Sequence, residues 1–130
     1  MSEIIIILKI LFASLLGAII GYEREIKIKP AGLRTHILVC LGSTIFTVLS
    51  LEAFPGADTA RVASYIIAGI GFIGAGTVIQ TKEKIVGLTT AASLWITASI
   101  GMAVGVGFYI LALIATIISY LTLKLRKRKK

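Results

Sequence analysis

Cysteine and histidine are almost missing from this chain: Cys40 and His36 stand alone among 130 residues. A single cysteine makes no intrachain disulfide. One Cys and one His fall short of the three or four ligands a transition-metal site requires, so no metal site is assigned. Acids are scarce as well, six against 14 Lys and Arg. Glu3, Glu23, Glu25, Glu52, Asp58 and Glu83 all fall at the ends of apolar stretches or between them. No carboxylate therefore stands mid-stretch, where a path for a hard divalent cation through a membrane would need oxygen ligands. No nucleophile–base pair is present either, which argues against an enzyme and leaves catalytic residues and cofactors at none.

What the chain has in excess is apolar length. Its hydrophobic fraction is 57% and its mean hydropathy +0.98, too apolar for an ordinary soluble domain. Stretches Ile4–Tyr22, Leu33–Leu51, Val62–Ile79 and Ile85–Leu123 each reach the ~20 residues that cross a bilayer. The last holds 39 residues and contains Gly101, Gly105 and Gly107, so it divides at a tight turn near Gly105-Val106-Gly107. The expected fold is an all-α membrane protein, a compact bundle of five transmembrane helices, with four as the alternative. Residues 1–123 form one transmembrane domain and 124–130 a basic tail. The first stretch reads as a retained helix. Its apolar run is too long for a signal peptide, its flank Met1-Ser2-Glu3 lacks positive charge, and no cleavage site follows it.

Basic residues segregate. Arg24, Lys27, Lys29 and Arg34 follow the first helix, Lys82 and Lys84 follow the third, and Lys124, Arg126, Lys127, Arg128, Lys129 and Lys130 close the chain. The opposite side has Arg61 beside Glu52 and Asp58. The positive-inside rule then sets the N-terminus outside and the C-terminus in the cytoplasm. Lys9, inside helix one, is expected to snorkel to the outer interface. The net charge of +8 carries no interleaved aromatics, so nucleic acid is not the partner. The tail instead rests on anionic lipid, at ~1 kcal/mol per basic residue.

Gly69-Ile70-Gly71-Phe72-Ile73-Gly74 matches the dinucleotide fingerprint but lacks its context. No acid stands near the required offset of about 20 residues, and the glycines lie within a membrane span. Small residues in lipid mark close helix approach. Gly69, Gly71, Gly74 and Gly76 therefore place helix three at the centre of the bundle, and Gly17 and Gly21 give helix one a seam beside Ser14. In helix four Thr89, Ser93, Thr97, Gly101 and Gly105 recur every four residues, a ladder for intrachain packing. A homodimer through a second face remains open.

Two polar groupings are candidate sites. His36, Cys40, Ser43 and Thr47 form a stripe on helix two that reads as interhelical hydrogen bonding. Pro30-Ala31-Gly32 bends the chain before helix two and returns it to the membrane face of Glu23. A polar cluster of Glu23, Arg24, Arg34, Thr35, His36, Thr89 and Thr90 is expected at the cytoplasmic mouth, with a Glu23–Arg34 contact at its centre. At the outer side Asp58 and Arg61 stand i, i+3, an N-cap and its surface partner.

Gly17–Glu25, Lys29–His36, Arg61–Tyr65, Gly69–Gly76 and Gly87–Ala92 with Trp95 stand in an order that resembles the MgtC/SapB family of bacterial inner-membrane proteins. The likeness covers roughly Gly17 to Gly107 and is to the short, SapB-like members, for which the soluble C-terminal domain of longer members is expected to be absent. The resemblance implies a multi-pass protein of the bacterial inner membrane. It also implies adaptation to low Mg2+ and, in pathogens, survival in macrophages. It further implies action on another membrane protein, the F1Fo ATP synthase, rather than Mg2+ carriage. The alternative is a small dimeric ion or solute transporter with a polar path near Glu23, Arg34 and His36.

Overall fold

A computed structural model describes residues 1–80 and 82–125, except for the side chain of Gln80. Thr81 and residues 126–130 lie outside the described residues, and with them most of the basic tail. Five helices follow one another: α1 (Glu3–Ile26), α2 (Leu33–Glu52), α3 (Ala60–Ala75), α4 (Leu88–Val106) and α5 (Tyr109–Leu123). Between α3 and α4 a two-residue antiparallel ladder pairs β1 (Ile79–Gln80) with β2 (Ile85–Val86). Three helices, α1, α2 and α4, are long and apolar enough to cross a membrane, and α3 and α5 are shorter apolar helices of 16 and 15 residues.

Local chemistry sets the boundaries. Ser2 opens α1 by accepting a hydrogen bond from the Ile5 amide. At its far end Ile28 takes a left-handed φ of 54° while the Lys29 amide donates to the Arg24 carbonyl, the closing turn of a Schellman motif. The third apolar run stops short of its expected end because Gly76 caps α3 and the Thr77 hydroxyl donates to the Gly74 carbonyl, turning the chain into the hairpin. Gly107, with φ at 95°, makes the α4–α5 turn where the glycines of the long run predicted one.

The helices alternate in direction. The Met1 amine meets Glu52 at 2.8 Å, so α1 begins where α2 ends. Phe12 and Tyr109 stack edge to face, and the Lys27 ammonium reaches the Leu123 carbonyl, so α1 and α5 run parallel. Arg24, Lys27, Lys29, Arg34, Lys82, Lys84 and Lys124 accordingly gather at one end, and Glu3, Glu52 and Asp58 at the other.

Helix four, not helix three, is central: α4 touches α1, α2, α3 and α5, whereas α3 leans on α4 and only lightly on α2. The larger core joins Leu16 and Ile20 of α1, Cys40 of α2, Ile100 and Val104 of α4 and Ala112 of α5. A smaller one joins Ala31, Ile70, Leu94 and Ala98. Gly69 and Gly71 face open space, since a Cβ at either meets nothing within 4 Å, and Phe72 is 85% exposed. Helix three is thus the flank of the bundle, and the expectation that neighbours cross it closely on several sides is corrected.

Candidate functional site

Glycines bring α2 between α1 and α4 at backbone distance. A Cβ on Gly17 would lie 2.7 Å from the His36 carbonyl oxygen, and one on Gly21 would lie 2.8 Å from Leu33 Cα. On the other side a Cβ on Gly101 would collide with the Cys40 carbonyl oxygen, and one on Gly105 would lie 2.6 Å from Thr47 Cβ. Gly74 stands in ordinary contact with Ala91, and Gly76 only caps its own helix.

This approach buries a polar seam and satisfies it. The Ser43 hydroxyl donates to the Ala98 carbonyl at 2.6 Å, and Thr44 donates to the Gly101 carbonyl at 2.8 Å. Thr47 and Thr97 donate back to the carbonyls four residues earlier. His36 is fully buried, with Nδ1 at 2.8 Å from the Gly32 carbonyl and Nε2 at 2.8 Å from the Ser93 hydroxyl. The acceptor on Gly32 assigns a proton to Nδ1. The seam's hydroxyls and ring nitrogens thus bond to neighbouring protein groups, at ~0.6 kcal/mol per contact in a membrane setting.

Beside the seam, at the basic end, lies a charged group. Glu23 and Arg24 are buried, at 0% and 3% exposure, with Arg24 Nε 2.9 Å from Glu23 Oε1. Lys27, one turn on, pairs with Glu23 Oε2 and donates to the Leu123 carbonyl at 2.8 Å, tying α1 to the end of α5. A buried carboxylate is tolerable with two cations on it and costly with none.

The expected Glu23–Arg34 contact does not form. Arg34 is exposed and enters no ion pair within the described residues. The turn carrying it is held by Glu25, whose carboxylate accepts the Leu33 amide hydrogen at 3.0 Å in the space left by the missing Cβ of Gly32. Of the other expected members, His36 and Thr90 are buried in the seam, Thr35 lines a groove beside α3, and Thr89 is exposed. At the opposite end the carboxylate of Asp58, one residue before Thr59, the N-cap of α3, accepts from the Ala60 amide at 2.9 Å, while Arg61 is exposed and makes no ion pair with it among the described residues.

Lys9 was misplaced by sequence. It is 4% exposed and donates to the Gly105 carbonyl at 2.6 Å, with its ammonium 5.8 Å from the Tyr109 ring centre. The open carbonyls and negative dipole end of α4 draw it inward. The left-handed turn at Gly107, one residue past α4, was the available signal.

Among known proteins, YhiD of Escherichia coli (strain K12) is 40% identical over 126 residues, covering 91% of this chain and 59% of that protein. Its given name assigns it provisionally to magnesium transport. Protein MgtC of Salmonella typhimurium (strain LT2) is 46% identical over 112 residues, covering 86% of this chain and 48% of its own length. The chain thus spans about half to three-fifths of the length of these relatives. No solved structure matches it. Residues 10–130 match the MgtC family along their whole length, and with relatives at 40–46% identity the chain, a helical membrane protein, belongs to that family.

Proposed function

We propose that this chain is a non-enzymatic modulator of a membrane partner in adaptation to low Mg2+, and not a Mg2+ carrier. In this reading it crosses the bacterial inner membrane five times, N-terminus outside, with 1–123 as the membrane domain and 124–130 as a basic cytoplasmic tail on anionic lipid. By family likeness the F1Fo ATP synthase is the partner to test first. One observation carries the reading. The polar groups of the α2–α4 seam are consumed by bonds to one another, and the nearby open space, a groove of about 670 Å3 beside α3, is walled mainly by apolar side chains. A modulator needs surfaces and a sealed interior, whereas a carrier of a hydrated divalent cation needs a wet path with oxygen ligands.

The runner-up, a small dimeric transporter, takes its support from the provisional name of YhiD. Its path would run past Glu23, Arg34 and His36, but Arg34 stands apart from the other two. Vesicles reconstituted with the purified chain and loaded with a Mg2+ indicator decide between them. Uptake no faster than in empty vesicles is the expected result. Saturable uptake proportional to the amount of reconstituted protein overturns the modulator reading.

A further inference from the structure

The groove beside α3 exists because α2 and α3 each pack on α4 and hardly on each other. Leu38, Gly42 and Phe46 form one wall, Val62, Gly69 and Ile73 the other, and Ala98 of α4 the floor. A Cβ on Gly42 or Gly69 would meet nothing within 4 Å, so the slot is open at its middle. The rim opens sideways, with Leu38 at 65% and Phe46 at 59% exposure. Facing a bilayer, this apolar slot takes hydrocarbon.

Length and charge narrow the occupant. The wall on α2 runs from Thr35 to Phe46, and that on α3 from Val62 to Ile73. Eleven residue steps on each make about 16 Å at ~1.5 Å per residue; because the helices are antiparallel, the α2 wall starts at the basic end and the α3 wall reaches to within two residues of the opposite end of α3, so the slot is long enough for an acyl chain. Thr35 lies in the first turn of α2, so the slot begins at the basic end of the bundle. There Arg34 stands one turn before Leu38 on the same face, exposed and without an ion pair among the described residues. Lys82 and Lys84 lie at the same end, on the α3–α4 connection. A guanidinium at that depth matches a phosphate by two parallel hydrogen bonds, and its own charge favours a headgroup that carries no compensating cation.

We propose that the α2–α3 groove holds one anionic phospholipid from the leaflet at the basic end, an acyl chain between Gly42 and Gly69 and the headgroup phosphate on Arg34. The site is separate from the Glu23–Arg24–Lys27 group and from the sealed seam, and it stands whether or not the modulator reading does. It also gives Arg34 a role that no described side chain supplies.

Brominated lipids report such a site by quenching tryptophan. The reporter is Phe46→Trp in a Trp95→Phe background, reconstituted in phosphatidylcholine vesicles with a minor share of phosphatidylglycerol. The control reporter is Ile118→Trp on the exposed face of α5. Brominated phosphatidylglycerol is expected to quench the groove reporter about fivefold more effectively than brominated phosphatidylcholine, the preference one basic residue gives. Arg34→Gln should bring that ratio to about one at the groove reporter and leave the α5 reporter unchanged. Gly69→Leu, which has room for its side chain, should remove quenching by either lipid while the protein stays monodisperse. Equal quenching by the two lipids, or a preference that survives Arg34→Gln, overturns the proposal. So does a parent groove reporter that neither lipid quenches, because a second copy or another protein segment would then fill the slot.

Discussion

Gly101→Ala should cost the protein its folded state in detergent, while Gly71→Ala should leave it intact or slightly firmer. The substitution is the same and the two glycines share a helical setting, so the difference isolates what each one touches. At Gly101 the new Cβ would strike the Cys40 carbonyl oxygen and come within 2.9 Å of Ser43 Cβ. Backbone cannot move aside as a flexible side chain does, so α2 and α4 must part. Parting them breaks the Thr44–Gly101 and Ser43–Ala98 hydrogen bonds as well. The expected loss is about 3 kcal/mol or more, at the upper end of overpacking effects. At Gly71 a Cβ meets nothing within 4 Å, and replacing a helical glycine by alanine favours the helix by up to ~1 kcal/mol. Thermal unfolding followed by circular dichroism reads both. A Gly101→Ala variant that melts with the parent would mean that α2 and α4 are not in backbone contact.

Removing the Glu23 charge should be the most damaging polar substitution in the chain. Glu23→Gln leaves the Arg24 guanidinium buried without its counter-charge and frees Lys27 from α1. The expected loss is about 3–5 kcal/mol, the range for breaking one side of a buried pair. Arg34→Gln, at an exposed and unpaired position, should stay within ~0.5 kcal/mol. Double-mutant cycles sharpen the contrast. Glu23→Gln with Arg24→Gln should cost less than the two single losses summed, by roughly 0.5–3 kcal/mol. Glu23→Gln with Arg34→Gln should be additive to within about 0.5 kcal/mol. Strong coupling to Arg34 instead would restore the pair that the sequence suggested and displace the one observed.

Periodicity carried much of the architecture. The four-residue ladder Thr89, Ser93, Thr97, Gly101 and Gly105 is read directly from the chain; the structure sets Ser93, Gly101 and Gly105 against α2 and buries Thr97, whereas Thr89 is exposed and takes no part in the seam. The turn between α4 and α5 was legible because glycine is the residue that takes a positive φ there. Helix three was misread for a physical reason. Small residues allow close approach without specifying which neighbour makes it, and the α2–α4 hydrogen bonds take α4's seam for α2 and leave α3 at the flank. Lys27 as a partner of Glu23 was available from the i, i+4 rule. The returning chain points to Arg34 instead, but Glu25 accepts the Leu33 amide hydrogen at the start of α2 and holds that turn away. The groove was illegible, since it depends on where α3 fails to pack.

Cys40 offers the most direct test of a sealed interior, for it is the native and single cysteine, sits mid-seam and is 0% exposed. Membrane vesicles treated with a small water-soluble thiosulfonate report whether water reaches it. The account predicts that Cys40 stays unlabelled in native vesicles and reacts fully once the protein is unfolded in SDS. In a parallel sample a cysteine introduced at the exposed Ala57 should react at once. Labelling of Cys40 in native vesicles at a rate near that of Ala57→Cys would show a hydrated path into the bundle and contradict the sealed seam on which the modulator reading rests.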